Sequence, residues 1–412
     1  MTTAGKQRAE AVREILCSVL RDPDRNLQKL RRAAELFRGR EFSAQRQLLR
    51  CALEDPSHPY YYYGYLRRLF SDIDLDVVAR LLENFCVNDQ MIGREIRESV
   101  GREFGCRVPR AVFMDPSSSG GLLCAGSPGV LPEREYRLTE ETMESVVRQG
   151  KVLGIYIYAF TGREPLHCAQ SLIRICEAHP DCLFLIFTDG ILIDWLLAEK
   201  MRRAGNVIPV VRFCGGEEET DRRHGAGTYR RVRQALEILR GKELFFGISC
   251  KLAENTLLYG TSSDFYEDLI RQGVCFLWYS MQVPDGGTVS DSVLPDLSRR
   301  AEAYQRIRRL RAVKPLPALD FQNDTRFFGG CQAGGRGYLH IGADGGIDPC
   351  CYVRSEDRSA NIYRMTLLEA LRSPAFRAYR GEAPGRAREI PSCPFPEHHV
   401  FLPERDSREI SS

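Results

Sequence analysis

Apolar positions recur every three and four residues through the first hundred or so positions. "REILCSVLRD", "LQKLRRAAELF" and "DLDVVARLLENFC" each lay an apolar stripe along one face of a helix. Asp74 or Asp76 is placed to cap the third of these. Residues 1–105 therefore read as a helical N-terminal domain. The run Tyr60–Tyr63, followed by Gly64 and Tyr65, predicts an aromatic seam packed on the next domain, with a ligand-stacking surface as the alternative.

From 108 to about 315 the pattern alternates. Short β-branched and aromatic runs ("RAVFMD", "GIYIYAF", "LFLIFT", "VIPVVRF", "LFFGIS", "VCFLWYSM") are separated by helical stretches such as "EETMESVVRQG" and "YRRVRQALEILR". Thr139 is a candidate N-cap of the first helix, with Glu140 and Glu141 in its first turn and Gly150 past its end. Six β–α units in series predict a parallel sheet with right-handed crossovers, and near-continuous apolar strands predict that both faces are covered. Six units are too few for an eight-stranded barrel. The predicted fold is thus α/β: a partial (β/α)6 TIM-like barrel over 106–315, with chemistry at the C-terminal strand ends. After 316 the texture becomes glycine-rich. "YLHI" and "IDPCCY" can pair across "GADGG", giving a small Cys/Gly-rich module over 316–412.

Composition narrows the picture. The chain has 412 residues, 43% apolar and 27% charged, with a net charge of +3, as expected of a globular protein of two or three domains. Its 58 basic residues include only seven lysines. The arginines are scattered, so no nucleic-acid groove is expected. No apolar stretch is long enough to span a bilayer, and the N-terminus lacks a signal core, so a cytoplasmic location is expected. Fifteen cysteines in a reducing compartment argue against a disulfide framework. Cys17, Cys51, Cys86, Cys176 and Cys275 read as buried small hydrophobes, and Cys168 and Cys182 as core. Glu217, Glu218 and Glu219 read as complementing a helix N-terminus. His340 reads as a structural histidine. No Ser–His–Asp pattern and no phosphate-binding glycine loop is present.

Four segments fall where a partial barrel would place a site: "SSSGGLLCAGS" (117–127), "FTGREPL" (160–166), "TDG" (188–190) and "VRFCGGEEETDRRHGAGTY" (211–229). Over roughly residues 105–400 the chain resembles the radical SAM superfamily. In that family the first loop carries Cys-x3-Cys-x2-Cys, whose three thiolates hold a [4Fe–4S] cluster. The open iron chelates S-adenosylmethionine (SAM), which is then cleaved to a radical. On that pattern Cys124 takes the middle position, and the outer two fall on Gly120 and Ser127, which are poor cluster ligands. Cys106 lies at the opposite end of the strand.

The family's Gly-Gly-Glu-Pro segment, which approaches the SAM amino group, reads here Gly162, Arg163, Glu164, Pro165. Arg163 places a cation beside the ammonium site. Two polar positions on the fourth strand become Arg212 and Cys214, and an asparagine on the third becomes Asp189. The resemblance with these joint losses implies that SAM and the catalytic cluster are not bound.

The C-terminal module resembles the twitch or SPASM modules that carry an auxiliary iron–sulfur cluster. Cys331, Gly345 and Cys350 fit Cys-x9–15-Gly-x4-Cys, and Cys393 in "SCPFP" matches a later ligand. The fourth ligand could be Cys351, His398 or His399, and the site could instead hold zinc or no metal. The resemblance implies a degenerate radical SAM protein that keeps an auxiliary [4Fe–4S] cluster and acts as a binding scaffold or as partner of an active paralogue or a peptide. The alternative it implies is an active radical SAM enzyme modifying a peptide or small metabolite.

Overall fold

The structure, a computed structural model, describes residues 3–26, 29–30, 32, 61–119, 135–213, 215–281, 295–328, 330–352 and 359–379. Two of the three expected helical patterns, "REILCSVLRD" and "DLDVVARLLENFC", are helical, with a further helix between them. α1 spans Thr3–Arg21, α2 Tyr61–Asp72 and α3 Leu75–Leu82. Asp74 caps α3 through its carboxylate, which accepts from the backbone N–H of Asp76 (2.9 Å) and Val77 (3.2 Å). The helix then widens into a π-helical stretch, Glu83–Gly93, before α4, Arg94–Phe104. "LQKLRRAAELF" and Tyr60 lie largely or wholly outside the described residues, as does Cys51.

Seven strands then alternate with helices: β1 (Ala111–Met114), β2 (Ile157–Phe160), β3 (Leu183–Thr188), β4 (Val207–Arg212), β5 (Gly247–Leu252), β6 (Phe276–Met281) and β7 (Ala318–Asp320). The principal helices between them are α5 (Glu140–Val152), α6 (Ala169–Ala178), α7 (Trp195–Ala204), α8 (Glu217–His224), α9 (Thr228–Gly241), α10 (Ser263–Arg271) and α11 (Leu297–Val313). All seven strands are parallel neighbours in sequence order. This is the α/β, partial TIM-like barrel that the alternation predicts.

β8 (Tyr338–Ile341) and β9 (Ile347–Asp348) form the expected antiparallel hairpin. The hairpin does not stand apart, because β8 pairs in parallel with β1, Ala111 opposite Tyr338. The sheet therefore runs β7-β6-β5-β4-β3-β2-β1-β8-β9, with β7 and β9 as its two edges. α12 (Leu367–Leu371), opened by a Thr366–Glu369 capping box, and α13 (Pro374–Tyr379) follow.

The strands are apolar on both faces because both are buried. Val112, Met114, Phe184 and Ile186 point outward into the helix layer. Their neighbours in sequence, Phe113, Leu183 and Phe187, point inward, where they pack with Val77, Val78 and Leu81 of α3. Gly150 lies inside α5 rather than past its end, since a Cβ there would collide with the Tyr158 hydroxyl. Cys17 is exposed on α1, against expectation. Cys168, Cys176, Cys182 and Cys275 are buried. Ten described cysteines are free thiols, whereas Cys250 on β5 is disulfide-bonded. Among the described residues no helix is long and apolar enough to cross a membrane.

Buried amides fasten the helical start of the chain to the barrel. Asn84 Nδ2 donates to the carbonyls of Pro180 and Cys182, both at 2.9 Å, and its Oδ1 accepts from Asn88, which also reaches Asp181 O. The Tyr65 hydroxyl donates to Cys275 O at 2.8 Å. Asn84→Ala strands the buried Cys182 carbonyl and the part-buried Pro180 carbonyl and should cost about 1–3 kcal/mol in denaturant-unfolding experiments. A change below about 0.5 kcal/mol would mean that the helices are docked by other contacts.

Candidate functional site

β2, β3 and β4 end side by side, and the turns beyond them bring Gly162, Arg163, Glu164, Pro165, Asp189 and Arg212 together. Gly162 adopts φ +83°, a left-handed conformation that glycine tolerates, and an added Cβ would meet Asp115 Cγ at 3.0 Å. The turn buries Glu164 to 1% exposure. Its carboxylate accepts from Leu166 N (2.9 Å), Thr188 Oγ1 (2.8 Å) and Asp189 N (2.7 Å). Burial raises the Glu164 pKa, opposed by the backbone donors of Asp189 and Leu166. Glu164 thus splints β2 to β3, and Pro165 opens the short helix that follows it.

Arg212, the last residue of β4, reaches across this floor. Its Nη2 donates to Gly162 O at 2.7 Å, and its Nη1 donates to Arg163 O and to Asp189 Oδ1, the latter at 3.2 Å. The cation on these carbonyls is therefore that of Arg212. Asp189 is the counter-charge, its side chain 9% exposed. Both strand-end carbonyls have a donor from within the chain. Gly120, Cys124, Ser127 and Cys214 lie outside the described residues. Glu217, Glu218 and Glu219 do form the first turn of α8.

A second cluster sits at the end of β1. His340 of β8, directly opposite Phe113, places Nε2 3.1 Å from Asp115 Oδ2. Its Nδ1 lies 3.9 Å from Asp348 Oδ2 of β9, a charge contact too long to be a hydrogen bond. The other Asp115 oxygen accepts from the Thr161 hydroxyl at 2.7 Å. Burial lowers the imidazole pKa, but the charge and hydrogen bond of Asp115, followed by Asp348, outweigh burial and raise it to about 10. At neutral pH His340 is a buried imidazolium. Sequence reading placed His340 in the structure but missed its partners, because Asp115 and His340 are far apart in the chain and meet only through the β1–β8 pairing.

The third cluster holds the expected thiols. Cys350 and Cys351 lie at the hydroxyl of the buried Tyr338 of β8, and Cys331 is near enough to act on it electrostatically. The Tyr338 hydroxyl lies 3.6 Å from Cys350 Sγ, and Cys351 Sγ lies 3.7 Å from that hydroxyl. Cys350 Sγ also accepts from Tyr352 N at 3.4 Å. Burial first, and then the thiols of Cys351, Cys350 and Cys331, push the phenol pKa well above its usual range. Cys351 is raised by its contact with Cys350 and then by burial. Three soft sulfur donors with a backbone N–H aimed at one of them suit an iron–sulfur cluster. Among the described residues no three such donors close on a single metal ion. Cys393, His398 and His399 lie outside the described residues.

Residues 331–394 match the SPASM model, an iron–sulfur cluster-binding domain. No curated protein matches the sequence. The fold is similar to that of Streptococcus suis SuiB bound to S-adenosylmethionine, at 15% identity over 71% of this chain and 72% of SuiB, TM-score 0.60. SuiB bound to its precursor peptide SuiA matches at 14% identity over 71% of each chain, TM-score 0.55. The structure of anSMEcpe with bound AdoMet matches at 18% identity over 66% of this chain and 79% of that one, TM-score 0.53.

His340→Gln removes one charge of a buried set and should cost about 3–5 kcal/mol. Because the folded-state pKa, about 10, lies above the unfolded value, the His340 contribution to stability should be fully present below pH ~6.5 and be lost as pH rises toward ~10. Urea unfolding at several pH values should show that loss in the parent and not in His340→Gln. Parallel pH profiles would place the stabilising charge elsewhere.

Proposed function

For a chain with the radical SAM fold and a SPASM iron–sulfur cluster-binding domain, we propose a binding scaffold that has given up SAM cleavage and kept its auxiliary cluster. The observation that carries this reading is Arg212. In the resemblance drawn from the sequence, the segment 162–165 faces the amino group of SAM. An ammonium there needs acceptors, and the acceptors at hand are the carbonyls of Gly162 and Arg163. Arg212 already donates to both. A guanidinium in this place substitutes for the ligand's cation and repels a second one. The residues at this end of the barrel therefore do not fit SAM. Gly120 and Ser127 in the preceding loop point the same way, since neither is a good iron ligand.

The thiols do fit their group. Cys331 and Cys350, with Cys393 and one of Cys351, His398 or His399, would hold a [4Fe–4S] cluster, which supplies one-electron chemistry when bound. The high thiol pKa of Cys351 means that loading releases protons and is weakened by acid. The Tyr338 hydroxyl lies against Cys350 and Cys351. A partner for such a scaffold would be an active paralogue or a peptide. The likeness to SuiB, whose structure was determined with a precursor peptide, supports the peptide and also supports the competing reading, an active enzyme that modifies a peptide or small metabolite.

Protein purified without oxygen should carry about four irons per chain and give no heat on titration with SAM. Cys350→Ser should lower the iron content severalfold. About eight irons, with 5′-deoxyadenosine formed from SAM, would establish the competing reading. The triple variant Gly120→Cys, Ser127→Cys, Arg163→Gly should still not bind SAM, because Arg212 remains on its two carbonyls. Tight SAM binding by that variant would remove the argument from Arg212.

A further inference from the structure

Across the barrel interior the rings of Phe113 on β1 and Phe187 on β3 both meet Trp278 of β6, and beside these contacts the N-terminal half of the barrel keeps open space. The strands enclose there a cavity of about 680 Å³, distinct from the strand-end cluster around Arg212. Its wall is overwhelmingly apolar, made by side chains such as Phe113, Leu183, Ile208 and Trp278 of the strands and Leu81 of α3. The strand backbones behind this wall are spent in the parallel ladder. A peptide buried here would leave its amides without partners, at a cost of about 1–3 kcal/mol each. The shape and chemistry favour a body without internal polar groups.

One corner of the wall is charged. Arg110, just before β1, and Arg336, just before β8, both line it, and their backbones are joined through the Arg110 N–H bonded to Gly337 O at 2.9 Å. Arg110 Nε pairs with Asp89 at 2.6 Å, but Asp89 also takes a hydrogen bond from Arg97, so the three groups keep one positive charge. Arg110 Nη2 and Arg336 Nε are buried donors with no acceptor. Among the described residues Arg336 has no ion-pair partner. The acids of the wall are already engaged. Asp324 is paired with Arg311 at 2.6 and 2.8 Å, and Asp320 accepts from Asn323, with burial raising its pKa. An apolar chamber with unmatched guanidinium donors in one corner is complementary to an anion with an apolar tail.

We infer that this chamber binds an amphipathic acid, a long apolar chain seated among Phe113, Leu183, Ile208 and Trp278 with its carboxylate on Arg336 and Arg110. The inference rests on the scaffold reading in treating the barrel as a binding site, and it names the ligand class. Trp278 reports on the chamber directly. The chain's other tryptophan, Trp195, is 53% exposed, packs on Lys242 and does not line the chamber.

The test uses the full chain carrying Trp195→Phe and follows Trp278 fluorescence. The probes are a brominated fatty acid, its methyl ester, and the brominated amine and alkyl phosphate of the same chain length. The acid should quench saturably and bind at least tenfold more tightly than the ester or the amine. Arg336→Leu should bring the acid down to the affinity of the ester and leave the ester unchanged, whereas Arg336→Lys should keep most of the preference. Three results would overturn the inference: no saturable quenching, equal binding of acid and amine, or an acid preference that survives Arg336→Leu. An alkyl phosphate binding tenfold more tightly than the acid would overturn the carboxylate assignment. SAM titration of the same preparation separates the two readings. SAM binding with acid binding intact defeats the loss of SAM chemistry alone, and absent acid binding with no SAM binding defeats the ligand assignment alone.

Discussion

His340 carries a proton in a place that water does not reach, and the carboxylates of Asp115 and Asp348 keep it there. A charge in such a site is costly unless it is paired. The pairing dictates the register in which β8 lies against β1, and with it the position of everything that follows. Tyr338 is two residues before His340 on the same strand, and Cys350 two residues after Asp348. The same few residues thus fix the first strand of the barrel, the hairpin and the thiol cluster relative to one another. Thr161, by donating to Asp115, extends the frame to the turn that ends β2. From there the chain passes directly to Gly162 and Arg163, the carbonyls that Arg212 holds.

The two ends of the strands have opposite characters. At the C-terminal ends, polar groups are numerous and satisfied: Glu164 by three partners, Arg212 by three, Asp189 by its neighbours. At the N-terminal half, polar groups are few and two donors are unsatisfied. On the proposed reading, recognition lies toward the apolar end of the barrel, where room remains. In energetic terms the closed end gains hydrogen bonds inside the chain, while the open end leaves apolar surface that a suitable ligand can cover.

Much of this architecture was legible from local pattern. The six strands and the helices between them follow from periodicity, as do the caps at Asp74 and Thr139 and the hairpin across Gly342–Gly346, because each is decided by residues close together in sequence. What the pattern could not disclose depends on pairing at long range. β7 is only three residues long and carries little signal. The addition of β8 to β1 has no local marker, and for that reason Asp115 was not connected with His340. Gly150 looked like a helix terminus because glycine usually ends helices, yet here the tertiary approach of Tyr158 requires it. In the sequence Arg212 stands only as a cation at a polar position of the fourth strand. That its guanidinium would occupy the carbonyls of 162 and 163 is a matter of three-dimensional reach.

The union of β1 with β8 also bears on how the chain comes into being. The partners are separated by roughly two hundred residues. During synthesis from the N-terminus, β1 through β7 emerge and can pair in order, each with the strand just made. One flank of β1, however, has no neighbour until the glycine-rich segment has left the ribosome. Through that interval the nascent barrel exposes a row of backbone donors and acceptors on an apolar strand, an invitation to pairing with another copy. The late arrival of a strand bearing its own charge gives that edge a specific mate, because a foreign strand would leave the carboxylate of Asp115 buried without its imidazolium.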